Sequence, residues 1–231
     1  MSLKIAKLAA AALVAAGMSS GAALADGHST GVYLGLAVSG SDLVDIRVTN
    51  GRGIGSSSED ATSSGRVTNK YGFDRAYGGA IKVGYDWGPM RTEIEASRKE
   101  FDIDSVTQAD GGKSTGVSGE AKATAYMLNF ILDIDLGDDV PVTPYVMMGA
   151  GKFKGSGSVA YTGSGGAAGD KYDVSFSGST YAGQIGAGLA VNVMDGTDIT
   201  LGYSYMGAPR EQTMRDWVEI QTFSAGVNYT F

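Results

Sequence analysis

The chain has 231 residues, of which 43% are hydrophobic, 19% are charged and 36 are glycine. It is therefore too apolar for a disordered chain, and it carries about twice the usual share of glycine. It contains no cysteine and a single histidine, which excludes disulfides, thiolate metal sites and a cysteine nucleophile. The formal net charge of −7 argues against nucleic-acid binding, because that function needs a clustered cationic surface.

The beginning of the chain has the composition of a secretory signal peptide. Lys4 and Lys7 flank the start of an apolar run over residues 8–16, and Ala23 and Ala25 form an A-x-A cleavage site. The apolar run is shorter than the roughly 20 residues that span a bilayer as a helix. We therefore predict a signal peptide over residues 1–25 and one domain over residues 26–231.

After residue 25, apolar and polar residues alternate with a period of two, as expected for strands with one apolar face. No apolar run of helical length occurs there, so the mature chain is either soluble or crosses a membrane as a closed barrel. Eight strands are predicted, around residues 32–38, 81–87, 93–97, 128–135, 143–154, 184–193, 199–205 and 223–231.

The predicted connections alternate in length. Short turns at residues 88–89, 137–141 and 195–197 alternate with long polar segments at about 39–76, 102–122, 155–175 and 207–216. Bacterial outer-membrane barrels have this layout, with turns in the periplasm and loops outside. The fold class predicted is therefore all-β, an eight-stranded antiparallel up-and-down transmembrane β-barrel with long, solvated extracellular loops.

The spacing of aromatic residues agrees with a membrane barrel. Three pairs on the predicted outward faces are eight residues apart: Tyr77 and Tyr85, Tyr145 and Phe153, and Phe223 and Phe231. Eight residues of a strand tilted by about 40° rise about 21 Å, close to the roughly 25 Å between the two aromatic girdles of such barrels.

The last strand carries a family resemblance. Its alternating residues are Phe223, Ala225, Val227, Tyr229 and the terminal Phe231. This strand resembles the signal by which the barrel assembly machinery recognises outer-membrane proteins. Together with TPYVMMGAG at residues 143–151 and RTEIEASRK after a Trp-Gly-Pro turn, it resembles the eight-stranded outer-membrane β-barrel family of opacity-type porin-like proteins.

The resemblance implies residence in the outer membrane of a Gram-negative cell envelope. The partners it implies are outer-membrane lipid, the barrel assembly machinery and an extracellular partner bound through the loops. We expect a monomer that binds no nucleic acid. Family membership does not fix an activity, because barrels of one fold differ in function.

A hairpin over the turn at residues 87–90 would place charged residues opposite one another inside the barrel. The opposed residues are Lys82 with Glu95, Gly84 with Glu93, and Asp86 with Arg91. Side chains fill the interior of an eight-stranded barrel, so we predict a polar interior with a salt-bridge network. A structural role for these charges is favoured over a gated conduction path. Pro89 is unusual in a two-residue turn, and a longer turn with a shifted register stays open.

No catalytic, cofactor or metal site is predicted. His28 precedes the first strand, and residues 163–171 lack the phosphate-loop pattern. Glu93 and Glu95 resemble an acid/base pair, yet the nearby Lys82 and Arg91 favour salt bridges.

Three functions remain open. The favoured one is a non-enzymatic barrel with a structural and surface-presenting role in interaction or adhesion. The second is a narrow porin or small-solute channel. The third, a soluble lipocalin-like carrier, would have polar residues outside and apolar ones inside.

Overall fold

The computed structural model describes residues 30–43, 46–50, 67–107, 113–137, 140–163, 169, 171–208 and 218–231. The predicted signal peptide with Ala23 and Ala25, and also His28, lie outside these residues. The strands are β1 (Gly31–Leu43), β2 (Ile46–Asn50), β3 (Val67–Phe73), β4 (Ala76–Asp86), β5 (Met90–Thr107), β6 (Thr115–Asp133), β7 (Val142–Thr162), β8 (Lys171–Met194), β9 (Thr197–Ala208) and β10 (Val218–Thr230). In this part of the chain no helix is long and apolar enough to cross a membrane.

Eight of the strands form a closed antiparallel ring in the order β1, β4, β5, β6, β7, β8, β9, β10. The ring closes because β10 pairs with both β9 and β1, and β5 pairs with both β4 and β6. Each ring strand thus has two hydrogen-bonded neighbours, which leaves no open edge in the membrane. The eight-stranded barrel predicted from the sequence is confirmed.

A short hairpin of β2 and β3 extends the wall of the barrel. β2 pairs with β3, and β3 pairs with the part of β5 that lies beyond its contact with β4. The first barrel strand thus consists of β1 and β2, and the second consists of β3 and β4. In each, one segment lies within the ring and the other extends beyond it. The interruption on the second strand lies at Asp74 and Arg75, between β3 and β4.

The turns gather at one end of the barrel, which we call the turn side; the opposite end is the loop side. The turn from β4 to β5 spans residues 87–89, and β8 passes to β9 through Asp195 and Gly196. Gly88 has a φ of 95°, a left-handed conformation that suits glycine, and its N–H donates to the Asp86 carboxylate at 2.7 Å. This turn fixes the register of the hairpin.

The predicted loops are too long. β5 continues to Thr107, β6 begins at Thr115, β7 continues to Thr162 and β8 begins at Lys171, all inside segments predicted as loops. These segments are rich in Gly, Ser and Thr, so their composition is typical of loops. However, neighbouring strands supply backbone partners along most of these segments, as where β7 pairs with β8 as far as Thr162 and Lys171, and the segments form β-structure.

The outer face of the ring is apolar, as expected for a surface in contact with lipid. Val83, Ile94 and Leu201 are exposed, whereas Thr200 on the opposite face is buried. Tyr77, Tyr85, Phe223 and Phe231 also face outward, as predicted.

The outward placement predicted for Tyr145 and Phe153 is wrong, because both are buried in the interior. On β7 the exposed large apolar residues are Val146 and Met148, one position out of step with the prediction. Both faces of this strand carry apolar residues near its start, so the alternation in the sequence did not distinguish them.

The interior has two layers, and the prediction of a uniformly polar interior is wrong for one of them. Near the turn side, buried residues are polar or charged, such as Arg91, Glu93 and Asn129. Near the loop side they are apolar: the buried cluster includes Phe101, Ile103, Val106, Val159 and Tyr161. Apart from Phe101, these residues come from the strand extensions that the sequence analysis assigned to loops.

Candidate functional site

The turn-side interior contains a charge cluster centred on Lys82. In the β4–β5 register, Lys82 lies opposite Glu95 and Gly84 opposite Glu93. The Lys82 Nζ is 3.5 Å from Glu93 Oε1 and 3.8 Å from Glu95 Oε2. The side chain of Glu93 is only 1% exposed, so its charge relies on these partners rather than on water.

Neutral polar side chains extend this cluster across the barrel. Asn129 on β6 donates from Nδ2 to Glu93 Oε1 at 3.0 Å and to Glu95 Oε2 at 3.4 Å. Gln184 on β8 donates to the Asn129 Oδ1 at 2.6 Å, and the Tyr33 hydroxyl on β1 donates to Glu93 Oε2 at 3.0 Å. Five strands thus contribute to one connected network, which we call the lumen network.

A second ion pair lies closer to the turns. Arg91 forms two hydrogen bonds with Asp133 on β6, Nε to Oδ2 at 2.7 Å and Nη2 to Oδ1 at 2.6 Å. The guanidinium carbon lies 5.3 Å from the centre of the Tyr145 ring, close enough for a cation–π contact. Two parallel hydrogen bonds to a carboxylate make this a strong and directional pair.

The predicted pairing of Asp86 with Arg91 holds for the backbone only. The two residues are cross-strand neighbours, but the guanidinium binds Asp133, and the Asp86 carboxylate accepts the N–H of Gly88 in the turn. The guanidinium binds Asp133 rather than Asp86 because both carboxylate oxygens of Asp133 accept its hydrogen bonds. The β5–β6 register that brings Asp133 there depends on a connection predicted as a long loop.

Sequence reasoning missed four participants: Tyr33, Asn129, Asp133 and Gln184. Asn129, Asp133 and Gln184 do occupy the polar positions of the alternating strands, which is the signal that could have found them. Tyr33 has no such signal, since an inward tyrosine near a strand end looks like any core aromatic residue.

A small cavity adjoins the lumen network. It has a volume of about 40 Å³ and is lined by Lys82, Glu95, Lys99, Tyr145 and Gln184, among others. That volume suits one to a few water molecules. In the part of the chain that the structure describes, no group of three or more His, Asp or Glu residues is placed to hold a metal ion.

The residues of the predicted assembly signal lie on the closing strand of the ring. Phe223, Ala225, Tyr229 and Phe231 are exposed on its outer face, with Val227 partly exposed between them. The rings of Tyr229 and Phe231 pack edge to face with centroids 5.0 Å apart. This strand bonds β1 and β9 at once, so ring closure depends on it.

A closed antiparallel ring with an apolar outer face, a polar turn-side interior and short turns at one end defines an outer-membrane β-barrel. The family model described as outer membrane protein beta-barrel domain matches residues 9–231, so the chain belongs to that family. It resides in the bacterial outer membrane.

A curated relative and two solved structures are similar to this chain. The outer membrane protein of Gluconacetobacter diazotrophicus is 30% identical over 147 residues, and the match covers 62% of this chain and 38% of that protein. The chain thus matches well under half of the length of that relative.

The outer membrane protein OprG from Pseudomonas aeruginosa has 13% identity and a TM-score of 0.51, with 89% of this chain and 98% of that one covered. Neisserial surface protein A has 16% identity and a TM-score of 0.48, covering 87% of this chain and 98% of that one. At these identities the structural likeness concerns the fold alone.

Proposed function

We propose that the protein is a non-enzymatic, closed outer-membrane barrel that presents its loop-side wall outside the cell for interaction or adhesion. The observation that carries this proposal is the lumen network. It joins Tyr33, Lys82, Glu93, Asn129 and Gln184 across the interior. The cavity that adjoins it holds about 40 Å³, enough for one to a few water molecules.

The apolar layer supports a closed interior in a second way. Phe101, Ile103 and Val159 are each no more than 3% exposed, although they point into the barrel. An ion that entered from the loop side would have to pass this layer and then the lumen network. Apolar constrictions oppose the passage of ions because water leaves them readily.

The length of the strands supports surface presentation. A transmembrane β-strand needs about 9 to 11 residues, whereas β7 has 21 residues and β8 has 24. At a tilt of about 40°, 21 residues rise about 55 Å, about twice the height of the apolar band. The excess wall lies on the loop side and is exposed to the medium.

The interior charges also support a role other than catalysis. Glu93 accepts hydrogen bonds from Tyr33 and Asn129 and contacts Lys82. A carboxylate bound on all sides is poorly placed to exchange a proton with a substrate. The same contacts stabilise the barrel.

The proposal includes processing and partners. Residues 1–25 would direct secretion and be removed at Ala23–Ala25, and residues 26–231 would form the barrel. The terminal strand would engage the barrel assembly machinery, the outer face would contact lipid, and the loop side would meet an extracellular partner. The barrel would act as a monomer, without a cofactor or nucleic acid.

Planar-bilayer recording tests the closed interior against the narrow porin. We expect the purified protein to produce no reproducible unitary conductance, because the interior is filled. A reproducible conductance whose ion selectivity shifts in Lys82→Ala or Glu93→Gln would instead establish a narrow channel. Lys171→Gln is the matched control, since this exposed lysine lies at the loop-side start of β8 and should leave any conductance unchanged.

A further inference from the structure

Lys99 is a buried cation that contacts no carboxylate among the residues that the structure describes. It lies on the inward face of β5 and is only 8% exposed. The next inward residue, Phe101, already belongs to the apolar layer. Gly78, directly opposite on β4, leaves room for the Lys99 stem, because a Cβ there would lie 2.8 Å from the lysine Cγ. A buried ammonium group is costly unless an opposite charge accompanies it.

The carboxylates of the lumen network bind Lys82 instead. Glu93 and Glu95 lie 3.5 Å and 3.8 Å from the Lys82 Nζ, and Asn129 donates to both of them. Glu95 also attracts Lys99 through space, but no ion pair forms between these two side chains. One interior lysine therefore serves two carboxylates, whereas the other is left with polar groups that carry no charge.

The surroundings of Lys99 contain hydroxyl groups and open space. Lys99 lines the cavity of about 40 Å³ that adjoins the lumen network. Small hydroxyl-bearing residues from four strands line the same cavity: Ser39, Ser97, Ser204, Thr222 and Ser224. The Ser97 and Ser204 hydroxyls form no side-chain hydrogen bond with another described residue. The cavity thus combines an unpaired ammonium group with free hydroxyl donors, and both kinds of group bind anions.

We infer that this cavity binds a monovalent anion of about the size of a water molecule, such as chloride, through the Lys99 ammonium group and the Ser97 and Ser204 hydroxyls. Water alone would supply hydrogen bonds but no compensating charge. Glu95 also lines the cavity and would repel a multiply charged anion, so a single negative charge fits best. The site goes beyond the proposed function, because a bound anion is compatible with a closed interior and with a narrow pore.

Bromide locates the ion, because it has the chemistry of chloride and scatters X-rays anomalously. Crystals of the purified protein grown in sodium bromide should show an anomalous peak inside the barrel, beside the Lys99 Nζ. Crystals of Lys99→Met should lack this interior peak and retain any peaks on the protein surface. A wild-type crystal without the interior peak overturns the inference.

The chloride dependence of stability tests the site in solution. Urea-induced unfolding in lipid vesicles is compared in sodium chloride and in sodium gluconate at equal ionic strength, because gluconate screens charges equally but is too large for the cavity. A site half-filled at about 20 mM would raise the folding equilibrium constant about tenfold at about 200 mM chloride. Equal unfolding midpoints in the two salts would overturn the inference.

Variants assign the chloride response to the cavity. Lys99→Met keeps an unbranched apolar stem without the charge, so it should fold and respond equally to the two salts. Ser97→Ala with Ser204→Ala removes two donors and should weaken chloride binding at least about threefold. The matched control, Lys122→Met, removes an exposed lysine of the outer face and should respond as the wild type does.

An undiminished chloride response in Lys99→Met would place the anion elsewhere and overturn the assignment. If Lys99→Met does not fold, the interior bromide peak and the chloride response of the wild type decide the question together. Both are then required, and loss of either one overturns the site.

Discussion

At the scale of single residues, Glu93 shows how polar contacts stabilise a charge that is buried inside a lipid-embedded barrel. Its two oxygens are divided among Tyr33, Asn129 and Lys82. Gly84 makes room for this arrangement, because a Cβ at that position would collide with the Tyr33 ring. A buried carboxylate is tolerated only when such partners replace its hydration. Removing Lys82, the cationic partner, therefore leaves a buried carboxylate with neutral hydrogen-bond donors only.

Lys82→Ala should destabilise the barrel by about 3 to 5 kcal/mol, the usual cost of leaving a buried charge unpaired. Adding Glu95→Ala should recover part of that loss, since it removes one of the two stranded carboxylates. Urea-induced unfolding in lipid vesicles measures both free energies and gives the coupling between the two sites.

An exposed lysine supplies the comparison for this cycle. Lys122→Ala removes the contact with Glu120 on the outer face and should change the free energy of unfolding by less than about 1 kcal/mol. If Lys82→Ala cost no more than Lys122→Ala, water would be screening the interior charges, and the closed interior would be untenable.

At the scale of elements, the β4–β5 hairpin could be predicted and β7 could not. A short turn fixes the register of the strands it joins, so the alternation around Trp87 was enough to place Lys82 opposite Glu95. On β7 the alternation fails as a guide, because Tyr145 and Met147 face inward while Val146 and Met148 face outward. Hydrophobicity does not separate two apolar faces; only pairing with the neighbouring strands does.

The missed Arg91–Asp133 pair has a similar cause. These residues come from strands whose connection was predicted as a long loop over residues 102–122, and their register follows from pairing that begins far away at Ile103 and Gly119. Composition suggests a loop for much of that region. Site residues on a hairpin with a short turn were therefore predictable, whereas those that depend on a long connection were not.

Single cysteines on β7 should report its two faces directly, because the chain has no native cysteine. Val146→Cys should react with a thiol reagent confined to the lipid phase, and Tyr145→Cys should be protected. Mass spectrometry of the labelled protein gives the extent of each reaction. Preferential labelling of Tyr145→Cys would reverse the face assignment for this strand.

The closing strand carries a prediction about assembly. Deletion of Phe231 should leave export across the inner membrane intact and lower the amount of folded barrel in the outer membrane, because the proposed assembly signal acts after secretion. The measurement is the heat-modifiable fraction on gels of isolated outer membranes. Deletion variants that accumulate at normal levels in the folded form would count against the signal.

Phe223→Leu offers a milder comparison on the same strand. It keeps an apolar outward residue at a position farther from the chain end, so insertion should continue. A loss equal to that of the deletion would indicate that the whole strand, rather than its terminal residue, is read during assembly.

At the scale of the whole molecule, the barrel wall is taller than the membrane. The loop-side parts of β7 and β8 pair with one another from Gly155 with Gly178 to Thr162 with Lys171. Their outward side chains are small or polar, and their inward side chains include the buried Val159 and Tyr161. The protein thus presents a regular sheet surface to its surroundings, where the sequence alone indicated a solvated loop.

Hydrogen–deuterium exchange in detergent micelles separates these two descriptions. If residues 155–162 and 171–179 form paired strands, their hydrogen-bonded amides should exchange at least about a hundredfold more slowly than free peptide, because exchange requires local opening. Residues 184–191 lie in the lipid-facing part of β8 and supply the internal reference, since they should stay protected under either description. Rapid exchange of the loop-side segments beside a protected reference would show that the wall ends near the membrane surface. The surface available to an extracellular partner would then be flexible loop rather than rigid sheet.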